Sequence, residues 1–108
     1  MTPEEARKLV VEGKAILVDC REEQELKDTG TAEGAQWMPL SAMLDDTPEW
    51  QKFRAALPSD KQIFVFCKSG MRSGRMSEFL CCGSFQAVNL GGFGSWKDAG
   101  MPVVPFKR

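Results

Sequence analysis

The sequence of 108 residues contains no histidine, and this absence excludes several kinds of chemistry within the chain. Catalytic triads of the Ser-His and Cys-His types need an imidazole that accepts the proton of the nucleophile. Zinc sites that include histidine are excluded for the same reason. The four cysteines do not form a pair of C-x-x-C motifs either. We therefore expect no metal centre.

Long apolar runs and an excess of one charge are also lacking. No run approaches the roughly 20 residues that span a bilayer, and the charged first residues do not resemble a signal peptide. The net charge of −1 gives no basic field, so we expect neither nucleic acid nor membrane as a partner. These absences predict a cytoplasmic location, where cysteines stay reduced.

Runs that suit strands alternate along the chain with segments of helical spacing. Strands buried on both faces of a sheet are predicted at residues 15–20, 62–66 and 85–90. A shorter extended piece is expected at 35–40. Helices are predicted at 2–13, 21–28, 47–57, 73–82 and 95–99, and a loop, a turn and a tail at 29–34, 41–46 and 101–106. The pattern predicts one α/β domain over residues 1–108 with a mainly parallel sheet.

One stretch joins a buried strand directly to a helix and has a cysteine at the junction. The run from Ile63 to Phe66 is apolar, Cys67 ends it, and a short polar loop leads to a helix that starts near Ser73. The N–H groups of such a loop, together with the helix dipole, stabilise negative charge. Because the thiolate is the nucleophilic form of cysteine, Cys67 is the candidate nucleophile.

Two further segments are expected at the same edge of the sheet. In parallel sheets, ligands bind beyond the carboxyl ends of the strands. Cys67 lies at such an end, as do Asp19 after the first predicted strand and the glycine-rich turn 91–94 after the third. The sequence therefore predicts that these three segments surround one site.

Three motifs, in this order along the chain, resemble those of the single-domain rhodanese family, which consists of sulfurtransferases. They are Leu17-Val18-Asp19-Cys20-Arg21-Glu22, the loop from Cys67 to Ser73, and Asn89-Leu90-Gly91-Gly92-Phe93 with Trp96-Lys97, Ala99-Gly100 and Pro102-Val103 after it. The chain departs from the family at Gly30-Thr31-Ala32, where a Gly-His-Ile-like step is usual. The resemblance covers nearly the whole chain. It implies a three-layer rhodanese-like fold, with about five short strands and helices on both faces of the sheet.

The resemblance also implies that Cys67 carries sulfur as a persulfide, without a cofactor. Its thiolate would take sulfur from a small anionic donor such as thiosulfate, and cyanide or a thiol would accept it. Two other functions remain open: a module that delivers sulfur for a partner protein, and a thiol-based phosphatase. The phosphatase is disfavoured because Arg72 follows Cys67 by five positions, whereas cysteine phosphatases need six.

Charged and hydroxyl side chains of the loop are expected to bind the donor. Lys68 and Arg72 would attract an anion and lower the pKa of the thiol. Ser69 and Ser73 can donate hydrogen bonds to the persulfide, and Ser73 also suits the cap of the helix.

Four more residues are expected near the loop in other roles. Gly70 would let the backbone turn its N–H groups inward, and Met71 would form an apolar lip. Asp19 and Arg21 are expected to form a supporting charge pair rather than to act in catalysis.

Two aromatic residues and a pair of neighbouring cysteines complete the set of candidates. Phe93 and Trp96 are expected in the core, and one of them could also form a wall of the pocket. Cys81 and Cys82 lie at the far end of the predicted helix 73–82, roughly 15 Å from the loop at 1.5 Å per residue. That distance is too long for a disulfide with Cys67, so we expect two small helix residues, at least one of them buried.

Overall fold

The computed structural model describes residues 2–83 and 85–106 and has the predicted α/β class. The helices are α1 (Pro3–Val11), α2 (Glu23–Thr29), α3 (Leu40–Leu44), α4 (Pro48–Ala55), α5 (Met71–Cys82) and α6 (Phe93–Asp98). The strands are β1 (Ala15–Asp19), β2 (Thr31–Ala32), β3 (Gln36–Trp37), β4 (Gln62–Cys67), β5 (Gln86–Gly92) and β6 (Val103–Val104). Within this described part of the chain, no helix is both long and apolar enough to cross a membrane.

The main sheet is parallel and brings three strand ends to one edge. Its four strands, among the residues described, lie in the order β3-β1-β4-β5. Asp19 of β1 lies opposite Phe66 of β4, and Cys67 lies opposite Gly92 of β5. Asp19, the thiol and the glycine segment therefore meet at the carboxyl edge of the sheet, as the sequence predicted.

The sheet separates two apolar cores, because successive side chains of a strand point to opposite faces. One core joins β1 and β4 to α4 and α5, and includes Val18, Cys20, Trp50, Ile63, Val65, Cys67, Met76 and Leu80. The other joins the same strands to α1 and α6, and includes Ala6, Leu17, Phe64, Phe66, Phe93 and Trp96. Helices cover both faces, which gives three layers. Phe93 and Trp96 are core residues, as predicted.

Short sequence signals explain where two of the outer helices begin. The Thr2 hydroxyl accepts a hydrogen bond from the N–H of Glu5 at 3.1 Å, and Glu5 completes the capping box. The Thr47 hydroxyl accepts one from the N–H of Trp50 at 3.2 Å. Each cap is followed by a proline, whose missing N–H is not needed at the first helical position.

Three segments predicted to be irregular contain secondary structure instead. Residues 29–34 and 101–106 contribute β2 and β6, which pair antiparallel with Thr31 opposite Val104. Residues 41–46 were predicted as a turn, but most of this segment belongs to α3. Elements of two to five residues are too short to show a hydrophobic period, which is why these predictions were wrong. Among the residues described, the main sheet has four strands, close to the expected number, and β2 and β6 form a separate pair.

Some side chains also lie differently from the prediction. β5 is an edge strand and is only half-buried, whereas burial on both faces was expected. Phe79 fits the inner face of α5 by its spacing but is exposed, and its ring meets the edge of Trp50 with 5.9 Å between centroids. Ala56, which follows α4, is exposed as well. Sequence periodicity does not show how much of a helix face the packed elements cover.

Candidate active site

Cys67 ends β4, and its thiol lies where α5 begins. Gly70 is the N-cap residue and has a left-handed φ of 95°, which turns the loop back toward the helix. The N–H of Gly70 donates to Cys67 Sγ at 3.0 Å, and the N–H of Ser73 donates to it at 3.4 Å. Two backbone donors from the loop and the first helical turn therefore converge on one sulfur atom.

These hydrogen bonds shift the pKa of Cys67. Burial alone would raise the pKa of the thiol. Hydrogen bonds from Ser73 and from the backbone N–H groups of Gly70 and Ser69 outweigh burial, and they lower the pKa of Cys67 below its ordinary value. The main contributions come from these hydrogen bonds rather than from the charges of Lys68 and Arg72, to which the sequence had pointed.

The hydroxyl of Ser73 has one proton and two possible acceptors. Its Oγ lies 3.4 Å from Cys67 Sγ and 2.6 Å from Asn89 Oδ1. A thiolate competes for this proton better than a neutral thiol does, because hydrogen bonds to charged acceptors are stronger. Ser73 was also considered as the helix cap, which is wrong: α5 begins at Met71, and Gly70 is the cap.

Asn89 of β5 ties the loop to the sheet. Its Nδ2 donates to the carbonyl oxygen of Gly70 at 2.9 Å, while its Oδ1 accepts from the N–H of Gly91 at 3.0 Å and from Ser73. Asn89 belongs to the third motif, but no role was predicted for its side chain. The signal was present, since a polar residue in a strand next to two glycines suggests contact with a neighbouring backbone.

The backbone of the loop packs directly against the end of β5. A Cβ atom on Gly92 would lie only 2.6 Å from the carbonyl oxygen of Lys68, a contact that real side chains do not make. Gly92 is therefore required by close approach, whereas Gly70 is required by its left-handed backbone. The glycines of the second and third motifs thus fix the shape of the loop together.

Arg72 is held by a partner that the sequence did not identify. Its two terminal nitrogens donate to the two carboxylate oxygens of Glu25 in α2, at 2.6 and 2.9 Å. These bonds lower the pKa of Glu25 to about 2, and they are the main cause that raises the pKa of Arg72. The guanidinium is thus engaged in a bidentate pair. Nothing in the charged run of α2 marks Glu25 among its neighbours.

Asp19 and Arg21 form a buried ion pair at the end of β1. Arg21 Nη2 lies 2.8 Å from Asp19 Oδ2, and the Thr31 hydroxyl donates to the same oxygen at 2.8 Å. The guanidinium also donates to the carbonyl oxygen of Gly30 at 2.7 Å and lies 4.2 Å from the ring centre of Phe93. The expected charge pair is present and links β1, β2 and α6.

A pocket of about 440 Å³ opens beside the loop. Its lining combines cations, acids and one aromatic ring, from Arg21, Glu25, Asp28, Thr29, Lys68, Phe93, Gly94 and Lys97. Of the two aromatic candidates, Phe93 is therefore also a wall of this pocket. Lys97 was part of the third motif but had no predicted role. The two lysines suit an anionic ligand.

The remaining candidates lie on the surface. Ser69 is exposed, and Met71 is the most exposed large apolar residue of the described chain at 79%. Cys81 and Cys82 are free thiols and both exposed, so the expectation that one of them is buried is wrong. The last turn of α5 directs these two cysteines outward, whereas Met76 and Leu80 face the core.

Solved structures of proteins of similar length resemble this chain over most of its residues. A structure of a rhodanese-related protein from Thermoplasma volcanium has a TM-score of 0.79 and 27% identity, and covers 98% of this chain and 97% of its own. For a human single-domain sulfurtransferase the TM-score is 0.73 and the identity 25%, over 91% and 94% of the two chains.

Curated relatives are longer proteins. The tRNA uridine(34) hydroxylase of Staphylococcus aureus is 31% identical over 88 residues, which are 82% of this chain and 27% of the hydroxylase. The chain thus spans about a quarter of the length of these relatives. A family model described as Rhodanese-like domain matches residues 2–99. Together with the strand order and the three motifs around Cys67, this match establishes that the chain belongs to the family of rhodanese-like domains.

Proposed function

We propose that this protein is a sulfurtransferase that moves sulfane sulfur from thiosulfate, or from another persulfide donor, to a thiophilic acceptor through a persulfide on Cys67. The observation that carries the proposal is the convergence of the N–H groups of Gly70 and Ser73 on Cys67 Sγ. Such donors stabilise the attacking thiolate and again the terminal sulfur of a persulfide anion. A relative of similar length is described as a sulfurtransferase.

The reaction has two displacement steps at sulfur. The Cys67 thiolate attacks the outer sulfur of thiosulfate, the sulfur–sulfur bond breaks, and sulfite leaves with the electron pair. Cyanide or an acceptor thiolate then attacks the outer sulfur of the persulfide, and Cys67 leaves as the thiolate. Neither step needs a general base if Cys67 enters as the thiolate, which fits a chain without histidine.

The pocket beside the loop offers a site for the donor. Lys68 and Lys97 line it and would hold the anionic end of the donor. Cys67 is fully buried, so the loop has to open enough to admit one sulfur atom. The exposed side chain of Lys68, next to the thiol, is the first cation that such a donor meets.

The engagement of Arg72 argues against a phosphatase. In a cysteine phosphatase the arginine of the loop binds phosphate oxygens, so its guanidinium must face the thiol. Here both terminal nitrogens of Arg72 donate to Glu25. The short step from Cys67 to Arg72 and this pairing together favour sulfur over phosphate as the cargo.

Intact-mass measurement tests the proposal. Incubation with thiosulfate should add one sulfur atom to the wild-type protein, and cyanide should remove it with formation of thiocyanate. Cys67→Ser should lose both reactions, and Cys82→Ser, an exposed thiol at the other end of α5, should keep both. Turnover by Cys67→Ser, or hydrolysis of an aryl phosphate that depends on Cys67, would contradict the proposal.

A second candidate is a persulfide-carrying module that receives sulfur from a partner protein. The residue at which such contact can be tested is Met71, whose apolar side chain is 79% exposed at the start of α5. A donor protein that carries a persulfide should then load Cys67 faster than thiosulfate does at equal concentration. Met71→Lys should slow loading by the protein donor and leave loading by thiosulfate unchanged.

A further inference from the structure

A second buried thiol lies beside Cys67 on the neighbouring strand. Asp19 is paired with Phe66, and the N–H of Cys20 donates to the carbonyl oxygen of Phe66 at 3.0 Å. This bond continues the parallel ladder by one residue, so that Cys20 lies opposite Cys67. Residues opposite each other on parallel strands point to the same face of the sheet, and both thiols belong to the same core.

The strand spacing allows these two cysteines to form a disulfide. Adjacent strands lie about 4.8 Å apart, and disulfides are formed between Cα atoms roughly 4.4–6.8 Å apart. By contrast, Cys81 and Cys82 lie at the opposite end of α5, a helix of 12 residues. Cys20 is therefore the thiol of this chain that the fold places next to the nucleophile.

The two thiols differ in protonation. Burial, and next to it the charge of Cys67, raise the pKa of Cys20 to about 12. The pKa of Cys67 is lowered. Cys67 is thus the thiol that ionises more readily, while Cys20 stays neutral near pH 7. The sulfur-transfer steps described above leave Cys20 unused.

We propose that Cys20 is a resolving thiol, which attacks the persulfide of Cys67 when no acceptor arrives and releases its outer sulfur as hydrogen sulfide. This inference rests on the proposed persulfide of Cys67. The sulfur of Cys20 forms a bond to Cys67 Sγ, and the bond from Sγ to the outer sulfur breaks. The outer sulfur leaves with the electron pair and with the proton that Cys20 loses. The two cysteines are oxidised to a disulfide, and the sulfane sulfur is reduced to sulfide.

Two factors act in opposite directions on the rate at which Cys20 attacks the persulfide. Little of Cys20 is ionised at neutral pH, which slows its attack. Proximity opposes this, because well-oriented neighbouring groups reach effective molarities of ~10⁵ M or more. The reaction of Cys20 is therefore best observed on a persulfide that meets no acceptor. An external thiol then reduces the disulfide by exchange and restores both cysteines.

The decay of the loaded protein tests the inference. The wild type is loaded with thiosulfate, freed of excess donor and incubated without an acceptor. Its intact mass should change from a gain of one sulfur atom to a loss of two hydrogen atoms, with one equivalent of sulfide released. Cys20→Ser should keep the added sulfur at least tenfold longer, and Cys82→Ser should decay like the wild type. Equal persistence in wild type and Cys20→Ser would overturn the inference.

A second arm separates this inference from the proposed function. One equivalent of hydrogen peroxide oxidises Cys67 to a sulfenic acid, from which Cys20 displaces water to give the same disulfide. Peptide mapping of the wild type under non-reducing conditions should find Cys20 joined to Cys67, without any variant that has to fold. Loading by thiosulfate with no such disulfide in either arm would overturn the inference alone. The disulfide with peroxide but no loading by any donor would overturn sulfur transfer and, with it, the sulfide release.

Discussion

The two ends of α5 present thiols in opposite surroundings. At its start, Cys67 is buried, and its sulfur accepts hydrogen bonds from two backbone N–H groups. At its end, Cys81 and Cys82 are exposed, and Cys81 Sγ donates to the carbonyl oxygen of Ala87 at 3.3 Å. The comparison teaches that converging hydrogen-bond donors, rather than exposure, lower the pKa of a thiol.

The two ends of α5 also differ in the burial of the charged side chains near them. Near the loop that follows Cys67, Arg21 and Asp19 are both buried and form an ion pair with each other. Near the end of α5, Arg54 is exposed, and its guanidinium lies 5.6 Å from the ring centre of the exposed Phe79. Each of four predictions compares a variant near Cys67 with a control variant at the other end of α5 or at an exposed position.

The largest effect is expected from Arg21→Met, which removes the partner of a buried carboxylate. Because Asp19 would keep its charge without compensation, the free energy of unfolding should fall by about 3–5 kcal/mol. Arg54→Met at the exposed end should cost less than about 1 kcal/mol. Urea unfolding of both variants measures the difference, and equal losses would show that burial of the pair is not what matters.

Next in size is Gly92→Ala, which pushes a Cβ atom against the carbonyl oxygen of Lys68. The loop has to move, and a displacement of about 1 Å at reacting groups can cost roughly 100-fold in rate. Sulfur loading at Cys67 should fall by that order. Gly83→Ala, at the other end of α5, places its methyl group 3.2 Å from the flexible end of the Arg54 side chain, so it should load at nearly the wild-type rate. Unchanged loading in Gly92→Ala would mean that the loop is not held by this contact.

Ser73→Ala should have an intermediate effect, because the backbone donors to Cys67 remain. Loss of the hydroxyl raises the pKa of Cys67 toward its ordinary value, so alkylation by iodoacetamide should begin at higher pH than in the wild type. Below that inflection, the rate should fall by roughly tenfold, the value of one hydrogen bond to a charged group. Peptide mass spectrometry across pH gives the curve for Cys67. Cys82→Ser should keep the wild-type curve, and a Ser73→Ala curve that coincides with it would exclude the hydroxyl as a donor.

The smallest effect is expected from Lys68→Gln. The loss of one exposed cation beside the pocket should slow loading by thiosulfate a few-fold, and the difference should shrink as salt screens the charge. Arg75→Gln removes a cation from the other side of α5 and should leave loading unchanged. Equal slowing in both variants would point to net charge rather than to the position of Lys68.

The strand–loop–helix unit around Cys67 was predictable, because its signals are local. A buried run, a glycine and the start of a helix follow one another between Ile63 and Ser73. The partners of this unit come from distant segments: Glu25 lies 47 residues before Arg72, and Asn89 lies 16 residues after Ser73. A single sequence does not reveal these side-chain contacts, because each depends on how the sheet brings distant segments together.

The same reasoning explains the errors in the fold. The parallel sheet was predictable from long apolar runs, but β2 and β6 are two residues each and find one another across the chain. Phe79 shows the converse problem, because its spacing fits the buried face of α5 while its side chain is 44% exposed. Periodicity predicts the face of a helix or strand on which a residue lies, but it does not predict how far the core extends along that face.

The close approach of Gly92 to the backbone of Lys68 shows that the main chain and the side chains of the loop have different roles. The shape of the thiol cradle is set by main-chain atoms, through Gly70, Gly92 and the N–H donors to Cys67. The side chains at 68, 69 and 71 extend outward and take no part in that shape. If the proposed sulfur transfer holds, we expect the chemistry and the choice of partner to be separable: the three outward positions could be redesigned for new donors or acceptors without changing the hydrogen bonds to the thiol.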